Sequence, residues 1–385
     1  MNPPFDEIIP RENTSCVKYD ARGQVFGNPK VDPLWVADMD FATPEFIREA
    51  LEKRMTHPIF GYSFREESFY QSTLDWLKNR HQWDIERSSI HYSPGIVQGL
   101  MMAARALTRP GDQIIIQPPV YPPFFDLAGR DRTLLLNPLS EKDGHYTMDL
   151  DHLASIITPK SRLLVLCNPH NPVGRVWGKA ELSALSALCE KHSLSVLSDE
   201  IHADILFAPH RHCPYALSSE AASRHSITFV SPAKTFNIAG LPAASFICSN
   251  PELQSPVLQQ MKDFSATQGN LLGHIAYTTA YQQGESWRKE LLAYLGENLK
   301  TALQWAETAP AIRILPPEAT YLLWLDFRKT GLSDREISHK LTHEAGVGLN
   351  PGTSFGKEGT GFQRLNIACP RKKLIEALEK ISRVF

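Results

Sequence analysis

Leu163-Leu164-Val165-Leu166-Cys167 is followed at once by Asn168-Pro169-His170-Asn171-Pro172-Val173-Gly174, and the run 194–198 is followed by Asp199-Glu200-Ile201-His202. Each apolar run is short, unbroken and bounded by turn chemistry, the pattern of a strand buried on both faces of a parallel sheet. Between the two, Leu182, Leu185, Leu188 and Cys189 recur at helical spacing, which supplies the crossover that a right-handed βαβ unit needs. Outward from this pair, 113–116, 227–231 and 245–248 read as further buried parallel strands. The expected fold class is α/β, a mostly parallel central sheet flanked by helices. Polar residues that follow such strands lie at the sheet edge where open α/β folds bind ligands.

Near the start, Thr43 is placed as an N-cap with Pro44 at the first helical position, and Phe46, Ala50 and Leu51 supply an apolar stripe. At the other end Leu374, Leu378, Ile381 and Phe385 share one face of an amphipathic helix. The expected organisation is an N-terminal segment, 1–42, a large unit, 43–285, and a smaller α/β unit, 286–385. A chain of 385 residues is long enough for two or three packed units with a large core. Lys plus Arg total 40 against 42 for Asp plus Glu, so the formal charge of -2 offers no electrostatic footprint for nucleic acid or an anionic membrane. No apolar run approaches the roughly 20 residues of a transmembrane helix, and no signal peptide is readable. The cysteines are dispersed without a C-x-x-C pair, which suits a reducing cytoplasm. His210-Arg211-His212-Cys213 lacks a second ligand cluster at zinc-like spacing and reads as an exposed polar loop, with no metal.

Several residue types at the expected sheet edge carry chemistry. Ser93-Pro94-Gly95-Ile96-Val97-Gln98-Gly99 leads into an apolar helical stretch, so free backbone N–H groups at a helix start could cradle a phosphate; an ordinary glycine-containing helix start fits equally. After the run 227–231 comes Ser231-Pro232-Ala233-Lys234, which places a lysine where it can be desolvated, although a solvated loop lysine fits too. Asp199 reads as a ligand group or a helix N-cap, Asn171 as a ligand group or a turn residue, Tyr121 as a stacking ring or a core tyrosine.

Taken in order, the phosphate turn, Pro119-Val120-Tyr121, the Asn171 motif, Asp199 and Ser231 to Lys234 resemble the fold-type I pyridoxal phosphate enzymes of the aminotransferase class I/II superfamily, over nearly the whole chain. Trp35-Val36-Ala37-Asp38-Met39-Asp40-Phe41, Gly61-Tyr62, Asp199-Glu200-Ile201-His202 and Arg364-Leu365-Asn366-Ile367-Ala368-Cys369-Pro370 are similar to the MalY/PatB branch of carbon–sulfur β-lyases. The resemblance implies that Lys234 holds the cofactor covalently and acts as the base at the substrate α-carbon. It implies that Asp199 pairs with the pyridinium nitrogen, Asn171 bonds the phenolic oxygen, and Tyr121 stacks on the ring and is a candidate acid near the departing sulfur. Gly95, Ile96, Val97 and Ser231 would hold the phosphate, and His202 would also border the cofactor. Arg364, with Ala37, would bind the substrate carboxylate. Tyr62 would reach the phosphate of a neighbouring subunit, so the implied active unit is a homodimer with shared sites.

Two positions depart from the pattern of many aminotransferases: His202 stands for their tyrosine and Pro242 for their phosphate-binding arginine. Both move the expected activity toward α,β-elimination of L-cystathionine or a related cysteine S-conjugate. The rivals are an aminotransferase, which shares the early steps, and a cofactor-bearing regulatory protein. No helix-turn-helix appendage supports direct DNA control. Tyr19, His57 and His170 have no assigned role.

Overall fold

The computed structural model describes residues 5–385. Seven strands form one sheet in the order Thr133–Leu136, Gln113–Ile116, Ser161–Cys167, Ser195–Asp199, Ser226–Val230, Ala244–Ile247, Ile90–Ser93. The first five pair in parallel, whereas Ala244–Ile247 runs against both of its neighbours. The expectation of a parallel strand at 245–248 is therefore corrected. A parallel return needs a crossover of a dozen or more residues, usually a helix. Residues 231–243 form no helix and are spent on the turn that carries Lys234, so the chain comes straight back antiparallel.

The sheet is buried on both faces, and its period-two alternation divides the core. Ile114, Ile116, Leu163, Val165 and Leu197 pack on one side with the helices Ile96–Leu107 and Pro251–Asp263. Ile115, Leu164, Leu166 and Val196 pack on the other with Leu182, Leu185 and Cys189 of the helix Lys179–Lys191. Each fully buried leucine, isoleucine or valine contributes about 1.5–3 kcal/mol of transfer free energy. The helices thus pin the strands from both sides and leave only the strand ends free for chemistry.

A second, antiparallel sheet has the order Arg313–Leu315, Leu322–Asp326, Phe362–Asn366, Asn350–Pro351. The helices Glu285–Thr308 and Arg371–Ser382 cover it, the latter burying Leu374, Leu378 and Ile381 as their spacing predicts. The N-terminal stretch joins this core: Asp32–Pro33 pairs in parallel with residues 347–348, and Leu34, Met39 and Phe41 pack among the same apolar residues. The first long helix is Glu45–Met55, with Pro44 rather than Thr43 at its cap. Thr43 does not cap it, because its hydroxyl donates instead to the backbone oxygen of Asn237 at 3.1 Å, tying the helix start to the Lys234 turn. Among the described residues no helix is long and apolar enough to cross a membrane.

Candidate active site

The C-terminal ends of Ser161–Cys167 and Ser195–Asp199, the turn after Ser226–Val230 and the start of Ile96–Leu107 converge on one cavity of about 260 Å³. Ile96, Val97, Tyr121, Asn171, Asp199, His202, Lys234 and Arg364 line it, and Ala37 closes it from the N-terminal stretch. Segments far apart in sequence therefore deliver the expected residues to one place, with Asn171, Asp199 and Lys234 following strand ends as the strand-end rule requires.

Lys234 is held by a hydrogen bond from its Nζ to the Ala37 backbone oxygen at 2.7 Å. Burial, helped by repulsion from Arg364, pulls its ammonium down to about 8, against the attraction of Asp38 and Asp199. Burial pushes the Asp199 carboxyl up to about 7, against the backbone N–H of Ile201, which donates to it at 3.1 Å, and against Lys234. Arg364 is buried and has no carboxylate partner among the described residues; it donates to Asn171 Oδ1 at 3.1 Å and to the Trp35 backbone oxygen at 2.9 Å, and burial lowers it to about 10, so it stays charged at neutral pH. A buried, charged fork that lacks a counter-ion is a ready receptor for a carboxylate. His202 is pulled down to about 3 by burial, with Lys234 and Arg364 adding to the effect, so its ring is neutral. Burial raises the Tyr121 phenol.

At the helix start, Gly95 is the cap and the first N–H groups of Ile96–Leu107 have no intrahelical acceptor. Gly99 lets the helix lie this close to the sheet: a Cβ there would stand 2.3 Å from Ser93 Oγ and 2.6 Å from the Phe229 ring. Gly95, Ser231 and Tyr62 are not part of the cavity wall. The Ser231 hydroxyl donates to the Ala243 backbone oxygen at 2.7 Å and accepts from the Ala233 N–H at 3.2 Å. Tyr62 is 99% exposed, in a stretch where Ile59, Phe60 and Phe64 are also exposed. Pro242, at the departure from the aminotransferase pattern, gives its backbone oxygen to Asn270 Nδ2 at 3.2 Å.

The cavity also takes Trp35, Val36, Cys167, Ile201 and Asn350, which were not singled out as site residues. Cys167 and Ile201 follow from the strand-end rule. Asn350 had no sequence signal, because it reaches the site only through its pairing with Arg364 across the smaller sheet. The 210–213 stretch is a correction: His210 and Arg211 are exposed, but His212 is buried and pairs with Glu200 Oε2 at 2.7 Å. Glu200, which faces away from Asp199 along the chain, supplies the buried partner that a surface loop would not have. His170 is buried with its Nε2 at 2.9 Å from the Pro119 backbone oxygen, and His57 is exposed.

The aminotransferase class I and II family model matches residues 31–381. The chain belongs to that family. It is 41% identical to "Cystathionine beta-lyase PatB" of Bacillus subtilis over 98% of both chains, and 32% identical to "Protein MalY" of Escherichia coli over 96% of this chain and 95% of that one. Its fold superposes with a TM-score of 0.96 on cystalysin from Treponema denticola, a structure that contains pyridoxal 5'-phosphate; the two are 33% identical, and the match covers 100% and 99% of the chains. The fold is the fold-type I architecture expected from the motifs.

Proposed function

We propose that this chain is a pyridoxal phosphate-dependent carbon–sulfur β-lyase, converting L-cystathionine and water to homocysteine, pyruvate and ammonia, or acting likewise on a related cysteine S-conjugate. The observation that carries this is the meeting of a desolvated lysine, a buried carboxylate of raised pKa and an arginine without a counter-ion around one cavity, in a chain 41% identical to a cystathionine β-lyase.

The donor set fits the cofactor. Lys234 offers an amine for the aldehyde, Asp199 a carboxylate for the ring nitrogen, and the N–H groups of Ile96 and Val97 a cradle for the phosphate, with Gly95 and Ser231 shaping the turns around it. Tyr121 offers a flat ring, and Asn171, whose oxygen is taken by Arg364, offers its amide N–H. His202, kept neutral, adds no charge beside Asp199. Bound there, pyridoxal phosphate supplies the electron sink that stabilises negative charge at the substrate α-carbon and so allows a β-thiolate to leave. Arg364, with the backbone of Ala37, holds the substrate carboxylate and so fixes which bond at the α-carbon faces the base. Lys234, with an amine pulled down to about 8, takes the α-proton at Nζ. Tyr121, whose phenol is kept protonated by burial, can donate its hydroxyl proton to the departing sulfur.

Tyr62 and its exposed apolar neighbours favour a homodimer in which each subunit completes the other's phosphate site. On this reading residues 43–285 form the cofactor-binding unit, 286–385 the smaller unit and 1–42 the segment that closes the site, in an enzyme of the cytoplasm. The deciding experiment incubates the enzyme with L-cystathionine and no 2-oxoacid. Pyruvate and free thiol released in equal amounts are expected; no pyruvate, but amino transfer once a 2-oxoacid is added, would establish an aminotransferase instead.

A further inference from the structure

A second cavity, of about 520 Å³, shares none of the catalytic cavity's lining residues. Its wall brings together Arg80, His81, His210, Arg211, His212 and Arg288, and no carboxylate lines it. These groups come from three places: the end of the helix Glu67–His81, the loop 206–212 and the first turns of the helix Glu285–Thr308. The acids that balance them are not part of the wall and are already engaged. Glu200 accepts from His212 Nε2 at 2.7 Å, from Ser198 Oγ at 2.8 Å and from the Tyr215 N–H at 2.9 Å. Asp204 faces His81 Nε2 at 3.1 Å and accepts from Trp76 Nε1 at 3.0 Å. Glu285 accepts from Arg288 Nε and Nη2, each at 3.0 Å, and lies 3.6 Å from Arg80.

Two buried polar atoms of these residues have no hydrogen-bond partner among the described residues. The His212 side chain is wholly buried and its Nε2 is committed to Glu200, yet its Nδ1 has no hydrogen-bond partner. Arg80 Nε is buried and equally unsatisfied. Both atoms are closed off from the cavity, so the basic groups of the wall that a ligand can reach are the partly exposed Arg80 guanidinium and the exposed His210 and Arg211 side chains. Arg211, exposed at the mouth, makes no ion pair among the described residues. Basic residues at a helix C-terminus are often explained by the helix dipole. That accounts for Arg80 and His81, but not for His210, Arg211 and His212, which a separate loop brings to the same space.

We propose that this cavity is a binding site for a phosphate-like oxyanion, separate from the cofactor's own phosphate cradle. A compact anion there would accept from the Arg211 and Arg80 guanidinium groups, charge-assisted bonds of the strong kind, and from the ring N–H of the exposed His210. The volume leaves room for a small organic substituent, so a phosphate monoester fits as well as the free ion.

The test titrates the cofactor-loaded enzyme, whose catalytic phosphate site is filled, with inorganic phosphate and in a parallel arm with glycerol phosphate, at constant ionic strength, by calorimetry. Saturable binding of one anion per chain is expected, weakened at least about tenfold in Arg211→Gln. Arg211 lies outside the catalytic wall, so its activity without added anion should match the parent's, which separates this proposal from the lyase reading. A lower dissociation constant for glycerol phosphate identifies an ester as the ligand, and a lower one for inorganic phosphate identifies the free ion. Absence of saturable binding for both ligands, or equal affinity in the parent, in Arg211→Gln and in Arg80→Gln/Arg211→Gln, would overturn the site.

Discussion

Two buried aspartates, Asp40 and Asp199, end on opposite sides of the usual carboxylate range. Asp40 is surrounded by cations: Lys18 Nζ at 2.9 Å, Lys373 Nζ at 2.6 Å and an Arg11 guanidinium nitrogen at 2.8 Å, with the Tyr19 hydroxyl donating at 2.8 Å. Burial alone would raise its carboxyl, but Lys18 and Lys373 outweigh it and hold Asp40 well below the usual carboxylate range. Asp199 has one backbone N–H and a more distant lysine, so burial wins and its carboxyl rises to about 7. The same residue type is thus a clamp in one place and a reactive group in the other, and the number of cations within bonding distance decides which.

The two are mechanically joined. The Asp40 cluster fastens residues 35–41, and the backbone oxygens of 35–39 each meet a side chain from another element: Trp35 meets Arg364, Val36 and Asp38 meet Asn366, Ala37 meets Lys234 and Tyr321, and Met39 meets Arg11 and Asn237. A strap secured by paired charges therefore presents its oxygens to the two unpaired cations of the active site.

The largest expected effect breaks the reactive side of this contrast. Lys234→Ala should lower elimination by a factor on the order of a thousand or more, since both the anchor and the base are lost. The visible absorption that the cofactor gives the parent should vanish. The variant should not melt earlier than the parent when both are free of cofactor, because a desolvated cation has been removed. A parent protein that takes up no pyridoxal phosphate would refute the cofactor assignment itself.

Asp40→Asn attacks the clamp. It leaves the wholly buried Lys18 with only Asp38 at 3.5 Å, and loss of one partner from a buried pair costs about 3–5 kcal/mol. Denaturant unfolding at pH 7 should show that loss. The Asp40 carboxyl is depressed when folded and near its usual value of about 3.9 when unfolded. Its contribution is therefore complete above about pH 5 and disappears as pH falls toward the folded value, so the gap between parent and variant should shrink in acid. An equal gap at every pH would mean that shape, not charge, makes Asp40 important.

Asp199→Asn should invert that pattern. Turnover should fall on the order of a hundredfold, because an amide brings no charge to a ring nitrogen in a site of low dielectric. In the cofactor-free protein the Asp199 carboxyl is neutral below about pH 4 in both states, and its favourable term is lost as pH rises through about 7. The variant should therefore melt higher than the parent at pH 8 and level with it at pH 4. A lower melting temperature at pH 8 would place Asp199 in the structural class with Asp40.

The reactive half of this contrast was far more legible in the sequence than the clamp. Lys234, Asp199 and Asn171 follow strand ends, so local pattern located them, whereas Arg364 was assigned through the resemblance of its motif. Nothing local distinguishes Lys18, a lysine in a short helix that folding buries against Asp40, and Tyr19 was left without a role for the same reason. Its hydroxyl bonds Asp40 and meets the ammonium of Lys373, a residue near the other end of the chain. The antiparallel strand Ala244–Ile247 was misjudged because an apolar run carries no direction; only the helix-free connection before it does. His212 was misjudged because its buried partner, Glu200, is set by the path of the loop, which residue pattern does not record.

The smallest expected effect tests the join between the halves. Tyr321 donates its hydroxyl to the Ala37 backbone oxygen at 2.9 Å, the same oxygen that accepts from Lys234 Nζ at 2.7 Å. Tyr321 is fully buried in the core of the smaller sheet, so Tyr321→Phe keeps the packing and removes one hydrogen bond. The stability cost is about 1 kcal/mol. What matters is where the activity changes. If Tyr321 only packs, kcat and KM stay as they are and the melting temperature drops slightly. If it seats the strap, Ala37 loses one of two restraints, and the position of Ala37 and Arg364 relative to the substrate carboxylate is less well fixed. KM for L-cystathionine should then rise about three- to tenfold while kcat changes less, because binding of the carboxylate is lost before the α-proton is moved. Steady-state kinetics on Tyr321→Phe, beside Asp40→Asn at pH 7, make the comparison: a shared rise in KM ties both residues to the strap, and a rise in neither would separate the clamp from catalysis.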